Sequence, residues 1–361
     1  MAPNRVRSGP PRLLLILPLF QRPYPLFWQK KFFDTSSFYM YYRNYKNLQE
    51  GFMKRQILFV IFLVLIPFIV FSQSHDITKK AIDHVISVQY ENGAWSRLKG
   101  EFPPEAEPTS WAVKVLKMKK VHDDKVAKGI EFILKDQKQD GSWNNNTAHT
   151  AFAIIALKQA GAGEEAIKKG LEYLRSVQDE SGGFKRIGKE GAPLTIYTAV
   201  VLNAFMDAGV KKNDPTVRKA IDWLVGCQNP DGGYGMPKGS PSLAISTAWA
   251  IRALLISGIS PSTPFVSDAV DWLLKSQKNS GGFAMMPDKV PEDPEVTAYA
   301  IMALSKINDK KDVIKKAEDY LSKVQHEDGS FTSNTPIQFN KMPKKNTQTT
   351  LFVIWALAEL E

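Results

Sequence analysis

Six copies of one short pattern, Gln-x-x-x-Gly-x-aromatic, divide residues 75–361 into units, and a chain built this way buries its apolar surface only by stacking unit on unit. The glutamines are Gln89, Gln137, Gln178, Gln228, Gln277 and Gln325, and Gly93, Gly141, Gly182, Gly232, Gly281 and Gly329 follow four residues later. Trp95, Trp143, Phe184, Tyr234, Phe283 and Phe331 complete the pattern. Ahead of each Gln runs an amphipathic helical sequence with an acid six residues upstream (Asp83, Glu131, Glu172, Asp222, Asp271, Asp319), and the Gly is expected to stop that helix. Behind each Gln a second helix includes Thr109, Thr150, Thr198, Thr247, Thr297 or Thr350 near its start and is apolar nearly all round. One exposed and one buried helix per unit makes twelve. The expected fold is therefore all-α: six helical hairpins that can close into a ring, with apolar inner and amphipathic outer helices.

The formal charge of +10 looks like a nucleic-acid signal until it is located. Residues 1–74 hold 10 of the 47 Lys and Arg but only 2 of the 37 Asp and Glu, so the repeat region is close to neutral. No nucleic-acid partner is expected. The single cysteine, Cys227, excludes an internal disulfide and any zinc site built on several thiolates.

The N-terminal segment reads as an address. Lys54 and Arg55 precede an apolar run from Ile57 to Phe71, and Ser72 and Ser74 stand at −3 and −1 of a cut before His75. The run falls short of the roughly 20 residues that span a bilayer, which favours a cleaved signal peptide over 53–74. Residues 1–52 lack periodicity and are expected to be a mis-assigned upstream start or an unstructured leader, because Gln49-Glu50-Gly51 can be encoded by a ribosome-binding stretch just before Met53. Residues 75–361 then form a single toroid domain that is exported, periplasmic or extracellular, with membrane association left open.

The segments QDGSW, QDESGGF, QNPDGGYG and QKNSGGF resemble the QW-type and prenyltransferase repeats of the terpenoid cyclase and protein prenyltransferase superfamily, of the squalene-cyclase-like kind. The resemblance spans residues 76–360. It implies an (α/α)6 toroid, with outer helices, turns and inner helices around a central chamber, and reactive groups where inner helices begin. In triterpene cyclases an Asp-x-Asp-Asp-Thr-Ala motif opens one inner helix, and its central Asp protonates an alkene. Here that stretch reads Asp293-Pro294-Glu295-Val296-Thr297-Ala298, so the resemblance implies Glu295 as proton donor with Asp293 tuning it. The zinc set of protein prenyltransferases maps onto Asp293, Glu295 and Thr349 and lacks its thiolate, so no metal and no cofactor are expected.

The positions four and two residues before each Thr are expected to ring one rim. They are Glu105 and Glu107, Asn146 and Ala148, Leu194 and Ile196, Leu243 and Ile245, Asp293 and Glu295, Asn346 and Gln348. That rim is polar over repeats 5, 6, 1 and 2 and apolar over repeats 3 and 4, which suits an apolar or amphipathic small molecule, isoprenoid on the resemblance. Trp111, Phe152, Trp249, Tyr299 and Phe352 two residues after Thr, together with Glu105, Glu107 and His149, are the candidate ligand-binding residues. The same acids also satisfy helix N-termini, and the aromatics also fill cores. Three readings stand: an exported ligand-binding repeat protein, a terpene cyclase using Glu295, and a secreted polysaccharide-degrading enzyme or protein-interaction module, the enzyme among these holding calcium on the four rim acids. Cyclases of the squalene type use two barrels and this chain has residues for one, so either a second barrel or protein partner closes the chamber, or the site is an open bowl.

Overall fold

The computed structural model describes residues 77–288, 290–333 and 344–361. The expected leader, signal peptide and cleavage point lie outside them. Among the described residues the elements are α1 (77–87), α2 (Ala106–Lys119), α3 (Asp123–Asp136), α4 (Thr147–Ala160), α5 (Glu164–Ser176), α6 (Thr195–Asp207), α7 (Pro215–Val225), α8 (Ala244–Ile256), α9 (Pro264–Lys275), α10 (Pro294–Leu304), α11 (Lys311–Val324) and α12 (Thr347–Ala358). A short ribbon pairs β1 (Phe331–Ser333) antiparallel with β2 (Lys344–Asn346), Phe331 facing Asn346. No described helix is long and apolar enough to cross a membrane.

Even-numbered helices form the inner ring: each packs on the next, and α12 packs on α2. Odd-numbered helices stand outside them, as the two hydrophobicity patterns require. The sixfold (α/α) toroid is thus the observed fold.

Side-chain-to-backbone hydrogen bonds hold the hairpins in register. Each repeat glutamine donates through Nε2 twice, to the glycine carbonyl of its own turn and to a carbonyl near the start of the next outer helix. Gln277 reaches Gly281 O at 2.9 Å and Val313 O at 3.0 Å. The last one closes the circle, Gln325 donating to Ile77 O at 2.9 Å. Threonine ties turn to inner helix in the same way: the backbone N–H of each pattern aromatic donates to the Thr hydroxyl, at 2.9 Å for Phe283 on Thr297 and 3.2 Å for Phe331 on Thr350. Buried backbone groups that would otherwise lack partners are thereby satisfied.

The glycine does not stop the outer helix. Helix α3 already ends with Gln137 as its C-cap, and α9 ends with Ser276, one residue before Gln277. The glycine is needed later, where the turn presses on the next outer helix. Gly281 has φ +97°, and a Cβ there would lie 2.1 Å from the Lys316 carbonyl oxygen; Gly93 and Gly329 make the same approach to Lys128 and Lys80. Gly100 has a similar φ of +89° with open space around it.

That pair separates backbone strain from steric contact. Gly281→Ala is expected to lower unfolding free energy by roughly 2–4 kcal/mol and Gly100→Ala by only about 1 kcal/mol, measured by urea unfolding. Equal losses would mean that the close approach contributes nothing.

Candidate functional site

On each inner helix the residues two before and two after the Thr are four apart and share a face, while the Thr points away from both. The Thr therefore meets the turn and the other two meet the centre. Trp111, Phe152, Trp249, Tyr299 and Phe352 converge there and touch one another: Tyr299 and Phe352 have ring centroids 4.7 Å apart, Trp111 and Phe352 4.9 Å, Trp111 and Phe152 5.5 Å. Repeat 3 has Val200 at this position. Trp355 of the opposite helix α12 occupies the centre instead, touching Phe152 at 6.3 Å and Trp249 at 6.4 Å. The axis is therefore filled by packed rings, and the oily hollow expected along it is absent at this level because the aromatics are large enough to meet.

Above this floor, at the N-terminal ends of the inner helices, lies a cavity of about 760 Å³. All eight residues expected to contact a ligand line it: Trp111, Phe152, Trp249, Tyr299, Phe352, Glu105, Glu107 and His149. Ile196, Ile245, Val200 and Met236 make one wall apolar. Glu105, Glu107, Asn146 and Gln348 make the facing side polar. The two-sided mouth is present, with repeats 1, 2 and 6 supplying the polar part.

The position four before the Thr departs from expectation. In all six repeats it is the N-cap of the inner helix: Glu105, Asn146, Leu194, Leu243, Asp293 and Asn346. Only Glu105 and Asn146 among them also line the cavity. Asp293 accepts from Glu295 N at 2.8 Å and Val296 N at 3.3 Å, and from the Ser333 hydroxyl at 2.9 Å, so its carboxylate caps α10 and ties it to β1.

Glu295 does not line the cavity either. Its carboxyl lies in the seam between α10 and α12, where it accepts from Tyr299 Oη at 2.9 Å, Gln348 Nε2 at 2.7 Å and Thr349 Oγ1 at 2.7 Å. Tyr299 and Gln348 cover it from the cavity. Burial pushes its pKa up to about 7 against the pull of these donors. The four acids once grouped on one rim therefore occupy two places, and among the described residues no cluster of three or more His, Cys, Asp or Glu could hold a metal.

Two arginines at the mouth were not singled out by sequence. Arg97 bonds Glu105 through Nη1 at 2.7 Å, pairs with Glu107 through Nη2, and lies over the Trp111 ring with its carbon 5.6 Å from the centroid. Arg186 lines the cavity from an exposed loop. Both stand two residues after a pattern aromatic, as does the lining residue Met236. That column of the repeat carries a signal: its carbonyl receives the first N–H of a neighbouring inner helix, as in Thr147 N to Arg186 O at 3.0 Å and Thr347 N to Arg97 O at 2.9 Å. His149 sits with Nε2 3.3 Å from Glu107, and burial together with the Arg97 charge lowers its pKa to about 4. It is neutral at neutral pH and is a poor proton carrier there.

A folded-state pKa near 7 for Glu295, above the ordinary 4.5, means that the group favours folding most below pH 4.5 and that this contribution is lost as pH rises through 7. Glu295→Gln keeps the shape, accepts from Tyr299 and Gln348, and donates to Thr349. The variant is expected to unfold with a flatter pH dependence and to exceed the wild type at pH 8 by on the order of 3 kcal/mol. Parallel stability curves from pH 4.5 to 8 would show that ionising this carboxyl costs the fold nothing.

With fold and site described, comparison with known proteins gives three kinds of match. The Squalene-hopene cyclase C-terminal domain family matches residues 59–154 and 150–295, and the Prenyltransferase alpha-alpha toroid domain family matches residues 247–360. A squalene–hopene cyclase of Bradyrhizobium diazoefficiens is 48% identical over 48 residues, which is 13% of this chain and only 7% of that protein's length. Among solved structures, the type II terpene cyclase MstE from Scytonema in complex with geranylgeranyl dihydroxybenzoate superposes with a TM-score of 0.66 at 16% identity, over 81% of this chain and 99% of that one. A protein from Actinoplanes gives 0.62 at 18% identity, over 80% and 99%. Candida albicans protein geranylgeranyltransferase-I complexed with GGPP gives 0.55 at 17%, over 70% and 83%. At these identities the structures speak to the fold, while the family matches together span most of the repeat region. The chain belongs to the squalene–hopene cyclase C-terminal domain family.

Proposed function

We propose that this protein binds an apolar or amphipathic small molecule, isoprenoid in character, in the mouth cavity above the aromatic floor. The observation that carries this reading is the division of one cavity of about 760 Å³ into a mostly apolar wall from repeats 3 and 4, interrupted by Arg186 and Tyr197, and a polar wall from repeats 1, 2 and 6. Such a cavity has the size and mixed lining of small-molecule sites. The isoprenoid ligands held by the Scytonema and Candida proteins agree with it. Export is part of the proposal and rests on the segment 53–74.

A cyclase reading has one observation in its favour, a buried carboxyl with a raised pKa at Glu295. Geometry weighs against it. Three donors already occupy both carboxyl oxygens, and two side chains stand between them and the cavity. A proton donor must reach the atom it protonates. Ligand binding is therefore the better-supported function.

Protein purified from its native host is expected to carry one dominant apolar compound, seen by solvent extraction and mass spectrometry. Ile196→Asp, which sets a charge in the apolar wall, is expected to reduce that compound at least about tenfold while leaving the fold intact by circular dichroism. Identical extracts from folded wild type and variant would defeat the proposal. N-terminal sequencing of the exported protein is expected to begin at His75.

A further inference from the structure

Resting on that reading, we infer that the polar end of the ligand is uncharged, and that Glu105 and Glu107 are the residues that turn a diphosphate away. Six inner helices point their N-termini at the mouth, and such termini attract anions through free N–H groups and the helix dipole. At the start of α2 two negative charges already stand, Glu105 at the N-cap position, though without a side-chain bond to the helix N–H groups, and Glu107 in the first turn. The same two carboxylates clamp Arg97. A guanidinium paired with two carboxylates has its single positive charge more than matched, so its remaining N–H groups exert little net pull on a phosphate.

Among the described residues Arg186 is the other arginine lining the cavity, and no lysine lines it. Two arginines against two glutamates leave this described lining with no net formal charge, His149 being neutral. A diphosphate would enter beside two fixed carboxylates with one exposed cation to meet it, and like charges brought together at a binding surface exclude a partner. A hydroxyl or carbonyl meets a milder environment, since the neutral amides of Asn144, Asn146 and Gln348 line the same cavity. A prenyl alcohol and a prenyl diphosphate of equal tail length differ only in this feature.

The test titrates the full chain at pH 7.5 with geranylgeraniol and with geranylgeranyl diphosphate, following quenching of tryptophan emission, because Trp111 and Trp249 line the cavity. The alcohol is expected to bind at least about tenfold more tightly. Replacing both acids, Glu105→Gln with Glu107→Gln, frees Arg97 and is expected to raise affinity for the diphosphate relative to that for the alcohol by about tenfold. Circular dichroism serves as the check of its fold. Should that be lost, Glu105→Gln alone, at the more exposed of the two acids, makes the same comparison with an expected gain of about threefold. Wild type binding the diphosphate as tightly as the alcohol overturns the inference and leaves the amphiphile reading standing. A folded variant that gains nothing for the diphosphate overturns the role of the two carboxylates. No quenching by either ligand removes the amphiphile reading and this inference together.

Discussion

The ring depends on a side-chain amide that serves two turns at once. Each repeat glutamine spends one Nε2 on a carbonyl in its own turn and on another in the next outer helix, so no hairpin is complete without its neighbour. The bond from Gln325 to Ile77 makes the last hairpin the neighbour of the first. An open stack would leave an apolar face uncovered at each end; closure removes both ends. The glycine in the turn permits the approach and the threonine hydroxyl anchors the inner helix beneath it. Three residue types thus fix the radius and the tilt that every other contact inherits.

Closure also gives the ring two unlike poles. All six inner helices run the same way, so their N-termini gather at the mouth and their C-termini at the base. The mouth balances Glu105 and Glu107 against Arg97 and Arg186 beside neutral amides, whereas buried cations collect at the base. There Arg252 bonds Asn203 at 3.0 Å, the Met302 carbonyl at 3.2 Å and Glu359 at 2.8 Å, and Lys114 bonds Gln159 at 3.0 Å. Both cations also face the ring of Trp355. Burial would raise the pKa of Glu359, yet Arg252 and Lys306 hold it down at about 2. The cations at the base therefore stand where helix C-termini favour positive charge. Between the poles the aromatic rings fill the axis, which turns the ring into a bowl open at the mouth side.

Glu295 and Asp293 show why a motif match does not by itself place a side chain in the cavity. Both occupy positions that the repeat assigns to the start of an inner helix, and both do stand there. Asp293 is consumed in capping and in the bond to Ser333, whose strand, among the described residues, forms only in the sixth turn. Glu295 is drawn into the seam by Gln348 and Thr349 from the neighbouring helix. No pattern within repeat 5 encodes what α12 will offer it. Arg97 was missed for the opposite reason. It lies in a turn, where neither the helical nor the strand period applies, and only alignment of the six turns brings its column into view.

The sequence by itself determined the number of hairpins, which helix of each is buried, and the residues that staple them, because those are set by a period and by hydrogen-bonding types that recur six times. It also determined which side of the mouth is oily, since Ile196 and Ile245 sit in a register that the repeat fixes. Tertiary structure alone decided how deep the cavity runs and which acids reach it. Those outcomes turn on rings meeting across the axis and on donors arriving from 53 and 54 residues away, as Gln348 and Thr349 do at Glu295. Distances across a closed ring follow from its radius, and the radius is a property of all six hairpins together.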